Sequence, residues 1–134
     1  MTELIKTNVY FFTPENNSGC QIKEYKLEKE PGFEEIRKIF EEFIPDCDME
    51  HVSVLFDPGY IEAKDHVYKG KPTDMFVDEI GVLKGLPANF QATQIYMANT
   101  IRKYGPAYVT KLLQAGAAPL IHGPAIVFDR QVWF

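Results

Sequence analysis

The 134-residue sequence has little cysteine and no long apolar run. Its two cysteines, Cys20 and Cys47, lie far apart and fit no metal-binding spacing, so we expect free thiols, with a single disulfide as the alternative. No stretch approaches the ~20 apolar residues of a membrane-spanning helix, and the first residues do not have the pattern of a signal peptide. These absences predict a cytoplasmic protein without a membrane partner.

Positive charge is scarce as well. The chain has 14 Lys and Arg against 19 Asp and Glu, a formal net charge of −5, and its arginines are Arg37, Arg102 and Arg130. Binding to a phosphate backbone needs clustered Lys and Arg, so nucleic acid is excluded as the main partner. The G-x-S-x-G, Walker and dinucleotide-binding motifs are also missing. We therefore predict no enzyme activity, no cofactor and no metal site.

The length and composition of the chain predict one folded domain spanning residues 1–134. Hydrophobic residues make up 46% and charged residues 25%, and there are ten Phe, seven Tyr and one Trp. The clearest element is an amphipathic helix at 33–44, which Pro45 ends. Its apolar stripe is Phe33, Ile36, Ile39, Phe40, Phe43 and Ile44.

Further strands and helices follow from residue periodicity and from turn residues. We predict strands at 8–13, 21–29, 51–56, 74–82 and 120–128, and helices at 89–104 and 107–115. The alternative for the fourth strand is an interruption by a turn at 79–81. Residues 60–69 are either a short strand or a loop. Because strands and helices do not alternate strictly, the class expected is α+β. We expect a mostly antiparallel sheet, with the amphipathic helix and a C-terminal helix pair packed on one face.

Two segments carry a resemblance to a known family. Residues 77–93, VDEIGVLKGLPANFQAT, and 121–127, IHGPAIV, are similar to a V-D-E-x-G-x-L-K-x-L-P-x-N-x-x-A-T segment followed by an I-x-G-x-A-x-V strand. That pair belongs to a small domain family of unknown function found in phages and mobile elements. The resemblance covers about residues 33–128, although the helical segment at 99–118 is longer than the pattern requires. It implies a phage or mobile-element accessory protein in the host cytoplasm, and it implies no activity.

Residues 73–93 predict a strand, a stiff loop and a helix N-terminus in succession, and such a junction exposes N–H groups suited to a polar ligand. The amides, hydroxyl and ring at the helix start, with Tyr96 and Arg102 further along the helix, suit base stacking, edge hydrogen bonds and phosphate pairing. The predicted ligand-binding residues are Asn89, Phe90, Gln91, Thr93, Tyr96, Arg102 and His122. The alternative is structural: Asn89 caps the helix, Phe90 packs, Gln91 and Thr93 lie at the surface, and His122 is a satisfied half-buried side chain.

The first functional hypothesis is a non-enzymatic accessory protein that binds and sequesters a nucleotide-like small molecule as a counter-defence. Such a protein is expected to be a homo-oligomer with sites near the subunit boundaries. The alternative is an acidic protein that inhibits a host enzyme by protein–protein contact, in one version by mimicking nucleic acid. A third hypothesis, an unrecognised hydrolase, requires a metal near His51 and Asp57.

Overall fold

The computed structural model describes residues 3–15, 20–56, 70–116 and 120–133. Its strands are β1 (Ile5–Phe12), β2 (Gln21–Leu27), β3 (Met49–Phe56), β4 (Lys71–Asp78) and β5 (Ala125–Phe128). Its helices are α1 (Phe33–Phe43), α2 (Phe90–Tyr104) and α3 (Pro106–Gln114). The predicted α+β class is confirmed, whereas the uncertain segment 60–69 lies outside the described residues.

The strands form one antiparallel sheet in the order β2-β1-β5-β4-β3. β1 and β2 pair as the predicted hairpin, and Lys23 and Lys26 lie on the edge strand β2, where charge opposes pairing with another chain. β5, the last strand of the sequence, lies in the centre of the sheet. It pairs with β1 through Val9 and Phe128 and with β4 through Val77 and Ala125. The C-terminal segment is therefore needed to complete the sheet.

The helices cover both faces of the sheet rather than one. Successive residues of a strand point to opposite faces, and in the central strands both sets are apolar. α1 packs with one set in a core that includes Phe76, Ile126 and Phe128. α2 packs with the other set, which includes Met75 and Val127. The expectation of helices on one face is corrected here, because a sheet with two apolar faces must be covered on both.

Local sequence explains where the helices begin and end. α1 follows Gly32 and carries Glu34 and Glu35 in its first turn, where negative charge suits the helix dipole. α2 ends at Tyr104 and is capped by Gly105, whose φ of 88° is a conformation that glycine adopts without strain. Pro106 then starts α3. Within the described residues no helix is both long and apolar enough to cross a membrane.

The C-terminal tail folds back onto the core. Trp133 lies 5.0 Å from Phe76 and 4.9 Å from His51, between ring centroids, and it stacks on Phe33. The Asp74 carboxylate accepts hydrogen bonds from the backbone N–H groups of Val132 (2.7 Å) and Trp133 (3.0 Å), and its other oxygen is 2.6 Å from His51 Nε2. The burial of Asp74 is thus explained by the tail that it anchors.

Tyr25 offers a pH-dependent test of the contact between β2 and α1. Its hydroxyl donates to the Glu42 carboxylate, which also binds Lys23. Burial, reinforced by the hydrogen bond to Glu42, raises the pKa of Tyr25 from 10.0 to about 12. Because the folded pKa is the higher one, this stabilisation is complete below pH 10.0 and is lost as the pH rises towards about 12. We expect ultraviolet titration to show one tyrosine that ionises at a higher pH than the others, and we expect Tyr25→Phe to remove it. If the group lost in Tyr25→Phe instead ionised near the ordinary pKa of 10.0, this contact would be contradicted.

Candidate functional site

The segments 77–93 and 121–127, which the sequence pattern singled out, lie side by side. β4 pairs with β5 from Met75↔Val127 to Val77↔Ala125, and Ala88 continues the contact as an isolated bridge to His122. Backbone hydrogen bonds join Asn89 N–H to Ile121 O (2.7 Å) and Gly123 N–H to Pro87 O (2.9 Å). The two halves of the pattern therefore build one structural junction between β4, α2 and β5.

Asn89 is the centre of this junction. Its side chain is completely buried, and its Oδ1 accepts from Ala92 N–H (3.1 Å), which caps α2. Its Nδ2 donates to Phe12 O (3.1 Å) on β1 and to Gly123 O (3.0 Å) before β5. The predicted cap is confirmed, and the amide also ties the helix start to the sheet.

Thr93 extends the same network. It is 8% exposed, its hydroxyl donates to Asn89 O (2.8 Å), and it accepts from Ile121 N–H (2.9 Å). A surface position for Thr93 is therefore wrong, and so is a packed Phe90, which is 59% exposed. Since the polar atoms of Asn89 and Thr93 are used internally, these two side chains serve the fold.

The remaining predicted ligand-binding residues are spread along α2 and the segment before β5. Tyr96 packs against the core on the α2 face, and Gln91 is half-buried. Arg102 follows Phe90 by twelve residues, about 18 Å along the helix, and donates to Gly70 O (3.4 Å). His122 is half-buried, and its Nδ1 donates to Leu86 O (2.9 Å), because a carbonyl oxygen only accepts. The role of these residues in ligand binding stays a prediction.

Residues 79–87, which we call the apolar loop, connect β4 to the junction. β4 ends at Asp78 rather than at the predicted Val82, because the Asp78 carboxylate accepts from Ile80 N–H (3.2 Å) and turns the chain. The loop then closes on itself through Leu86 N–H to Gly81 O (3.0 Å). A Cβ at Gly81 would lie 2.5 Å from His122 O, so the loop sits against the 120–124 segment without room for a side chain.

An ion pair braces the loop from inside. The Asp78 side chain is fully buried, and Lys84 Nζ donates to it at 2.8 Å. Burial alone would raise the pKa of Asp78, but the hydrogen bonds from Lys84 and Ile80 outweigh it and hold the pKa below its usual value.

Lys84 Nζ also lies 3.6 Å from Cys47 Sγ. Both cysteines are free thiols, as predicted, and burial raises the pKa of Cys47, so its thiol is not activated.

The outer side of this braced loop is apolar. Val82 is 65% exposed and Leu83 is 85% exposed. Val82 also lines a cleft of about 130 Å³ together with Leu120, Gly81 and His122. The sequence offered a turn at 79–81 as an alternative, but this surface was missed because Val82 was still assigned to the strand. The glycines at 81 and 85, which bracket two apolar residues, were the available indication of a loop.

The described residues contain no group of three His, Cys, Asp or Glu side chains placed to hold a metal ion. Among those named in the hydrolase hypothesis, His51 is bound to Asp74, and Asp57 lies outside the described residues. No family model matches the chain, and no curated protein or solved structure is significantly similar to it.

Proposed function

We propose that this chain is a non-enzymatic binding protein whose partner is another protein, bound through the apolar loop. The observation that supports this is the combination of a braced backbone with the exposed side chains of Val82 and Leu83. Burying apolar side chains at an interface is favourable, and a preformed loop loses little conformational entropy on binding. Of the functions inferred from the sequence, this combination favours the acidic protein that acts on a host protein.

The cleft beside the loop favours a protein partner over a nucleotide-like ligand. Its volume of about 130 Å³ is small beside the roughly 300–1,000 Å³ of typical small-molecule pockets. Its lining includes Glu50, Asp78 and Glu79, and Glu50 and Glu79 would repel a phosphate because Lys84 neutralises only Asp78. We expect native mass spectrometry of freshly purified protein to show the bare chain or its oligomer. A small molecule released on denaturation would support the nucleotide hypothesis instead.

Leu83→Glu is expected to abolish partner binding without affecting the fold. At 85% exposure Leu83 makes few internal contacts, so the free energy of unfolding should change by less than about 0.5 kcal/mol. Placing a charge in the centre of an interface typically costs 2 kcal/mol or more, a loss of roughly thirtyfold in affinity. The measurement is affinity capture from a lysate of the natural host, with the recovered proteins quantified by mass spectrometry.

The matched control is Ile22→Glu. Ile22 is 58% exposed on β2, at the edge of the sheet opposite β3, so this variant adds the same charge at a distant apolar position. The proposal expects a protein that the wild type and Ile22→Glu recover and that Leu83→Glu loses. Recovery of the same proteins in the same amounts by all three would refute binding through the apolar loop.

A further inference from the structure

We infer that the partner docks on the apolar loop with an apolar side chain flanked by Lys or Arg. This inference rests on the proposed function and adds the chemistry of the partner. It follows from the charges that lie beside Val82 and Leu120, two exposed apolar side chains that line the same cleft.

Carboxylates form a rim along one side of the apolar loop. Asp48 and Glu50 lie at the start of the edge strand β3, and Glu79 N–H donates to Asp48 O at 2.9 Å, which places Glu79 beside them. Glu50 and Glu79 line the cleft that Val82 and Leu120 also line. All of these carboxylate residues are exposed, so a bound partner would meet acidic and apolar groups together.

In the part of the chain that the structure describes, the two cations near Asp48 and Cys47 are already engaged in ion pairs. Lys84 binds the buried Asp78 at 2.8 Å, and Arg37 pairs with Glu41 at 3.0 Å. Across the described residues, Glu50 and Glu79 form no ion pair. The rim therefore keeps its negative charge, and Lys or Arg on the partner would complement it.

The same charges argue against other occupants. A second copy docked through the same surface would bring two acidic rims together, and like charges at an interface oppose association. A nucleic acid would place its phosphates against Glu50 and Glu79. A basic and apolar protein segment is the occupant that satisfies both parts of the surface.

The test is selection of random 12-residue peptides displayed on yeast. Peptides that bind the full chain are kept, and those that also bind Leu83→Glu are discarded. Affinities of the survivors are then measured for the wild type, for Glu50→Gln/Glu79→Gln, and for Glu28→Gln/Glu30→Gln. The last variant removes the same charge from exposed positions just after β2, at the opposite edge of the sheet.

We expect the survivors to carry Lys or Arg next to Leu, Ile, Phe or Met. Exposed ion pairs contribute about 0.2–1 kcal/mol each, so Glu50→Gln/Glu79→Gln should weaken binding roughly two- to thirtyfold, and the control should change it little. Affinity should also fall as salt rises. Survivors without basic residues, equal binding to both double variants, or no survivors would each overturn the inference. The proposed function is tested separately. It fails if the recovery of host proteins from the lysate does not depend on Leu83.

Discussion

Asn89→Asp is expected to unfold the protein or to remove most of its stability. The carboxylate can still accept from Ala92 N–H, but it cannot donate to Phe12 O and Gly123 O, which the amide now binds at 3.1 and 3.0 Å. A fully buried charge would then face two carbonyl oxygens. Leaving a buried charge unpaired costs about 3–5 kcal/mol in addition to the two lost hydrogen bonds, out of a total stability of about 5–15 kcal/mol.

Asn89→Ala separates the charge from the lost hydrogen bonds. Loss of the cap costs about 0.5–2 kcal/mol, and each buried carbonyl left without a donor adds about 1–3 kcal/mol. We therefore expect Asn89→Ala to be strongly destabilising and Asn89→Asp to be worse. Urea denaturation followed by circular dichroism measures both.

The control for these variants is Asn99→Asp on the same helix. Asn99 also donates to a backbone carbonyl, Ser53 O at 3.2 Å, but this hydrogen bond is exposed to water. It should change stability by less than about 1 kcal/mol. If Asn89→Asp were as mild as Asn99→Asp, the junction would not depend on the Asn89 amide.

Asp74→Ala is expected to release the C-terminal tail. Asp74 is 1% exposed and holds Val132 N–H, Trp133 N–H and His51 through its two oxygens. Without it, the burial of Val132 and Trp133 is lost together with these hydrogen bonds, at a cost of about 3–5 kcal/mol. Trp133 is the only tryptophan, so its fluorescence reports directly on the tail. The emission should shift to longer wavelength, and quenching by acrylamide should increase.

Asp48→Ala serves as the comparison, because Asp48 is exposed and its side chain anchors no backbone group in the described structure. It should leave the emission maximum and the unfolding midpoint unchanged. Emission that stays blue-shifted in Asp74→Ala would mean that ring contacts with Phe76 and Phe33 hold the tail without the carboxylate.

Elements with a strong local pattern were predicted well. The amphipathic stripe and Pro45 located α1 to within one residue, since one face of a helix must meet the core. Asn89 and the Gly105-Pro106 pair likewise marked the two ends of α2. The last strand was predicted at 120–128 but spans Ala125–Phe128, because Gly123 and Pro124 interrupt the apolar run.

Site residues were harder to predict because their roles depend on distant partners. The sequence shows that Asn89 can cap a helix, but it does not show that Phe12 O lies within reach, 77 positions earlier. In the sequence, Asp74 cannot be distinguished from any other acidic residue near a turn. Its role is visible only in the fold, where the backbone N–H of Val132, 58 positions later, donates to its carboxylate. Exposed apolar residues in the loop looked like part of a strand, since periodicity does not separate a short apolar run from a loop that turns through glycine.

The sequence alone determined the class of the fold, its amphipathic helix, its hairpin and the cap of its second long helix, because each depends on neighbours within a few residues. Only the tertiary structure decided that helices cover both faces, that Asn89 and Asp74 tie remote segments together, and that Val82 and Leu83 face outward on a braced loop. These features depend on which buried groups meet across the sheet. That pairing is set by the packing of the whole chain, and no local pattern contains it.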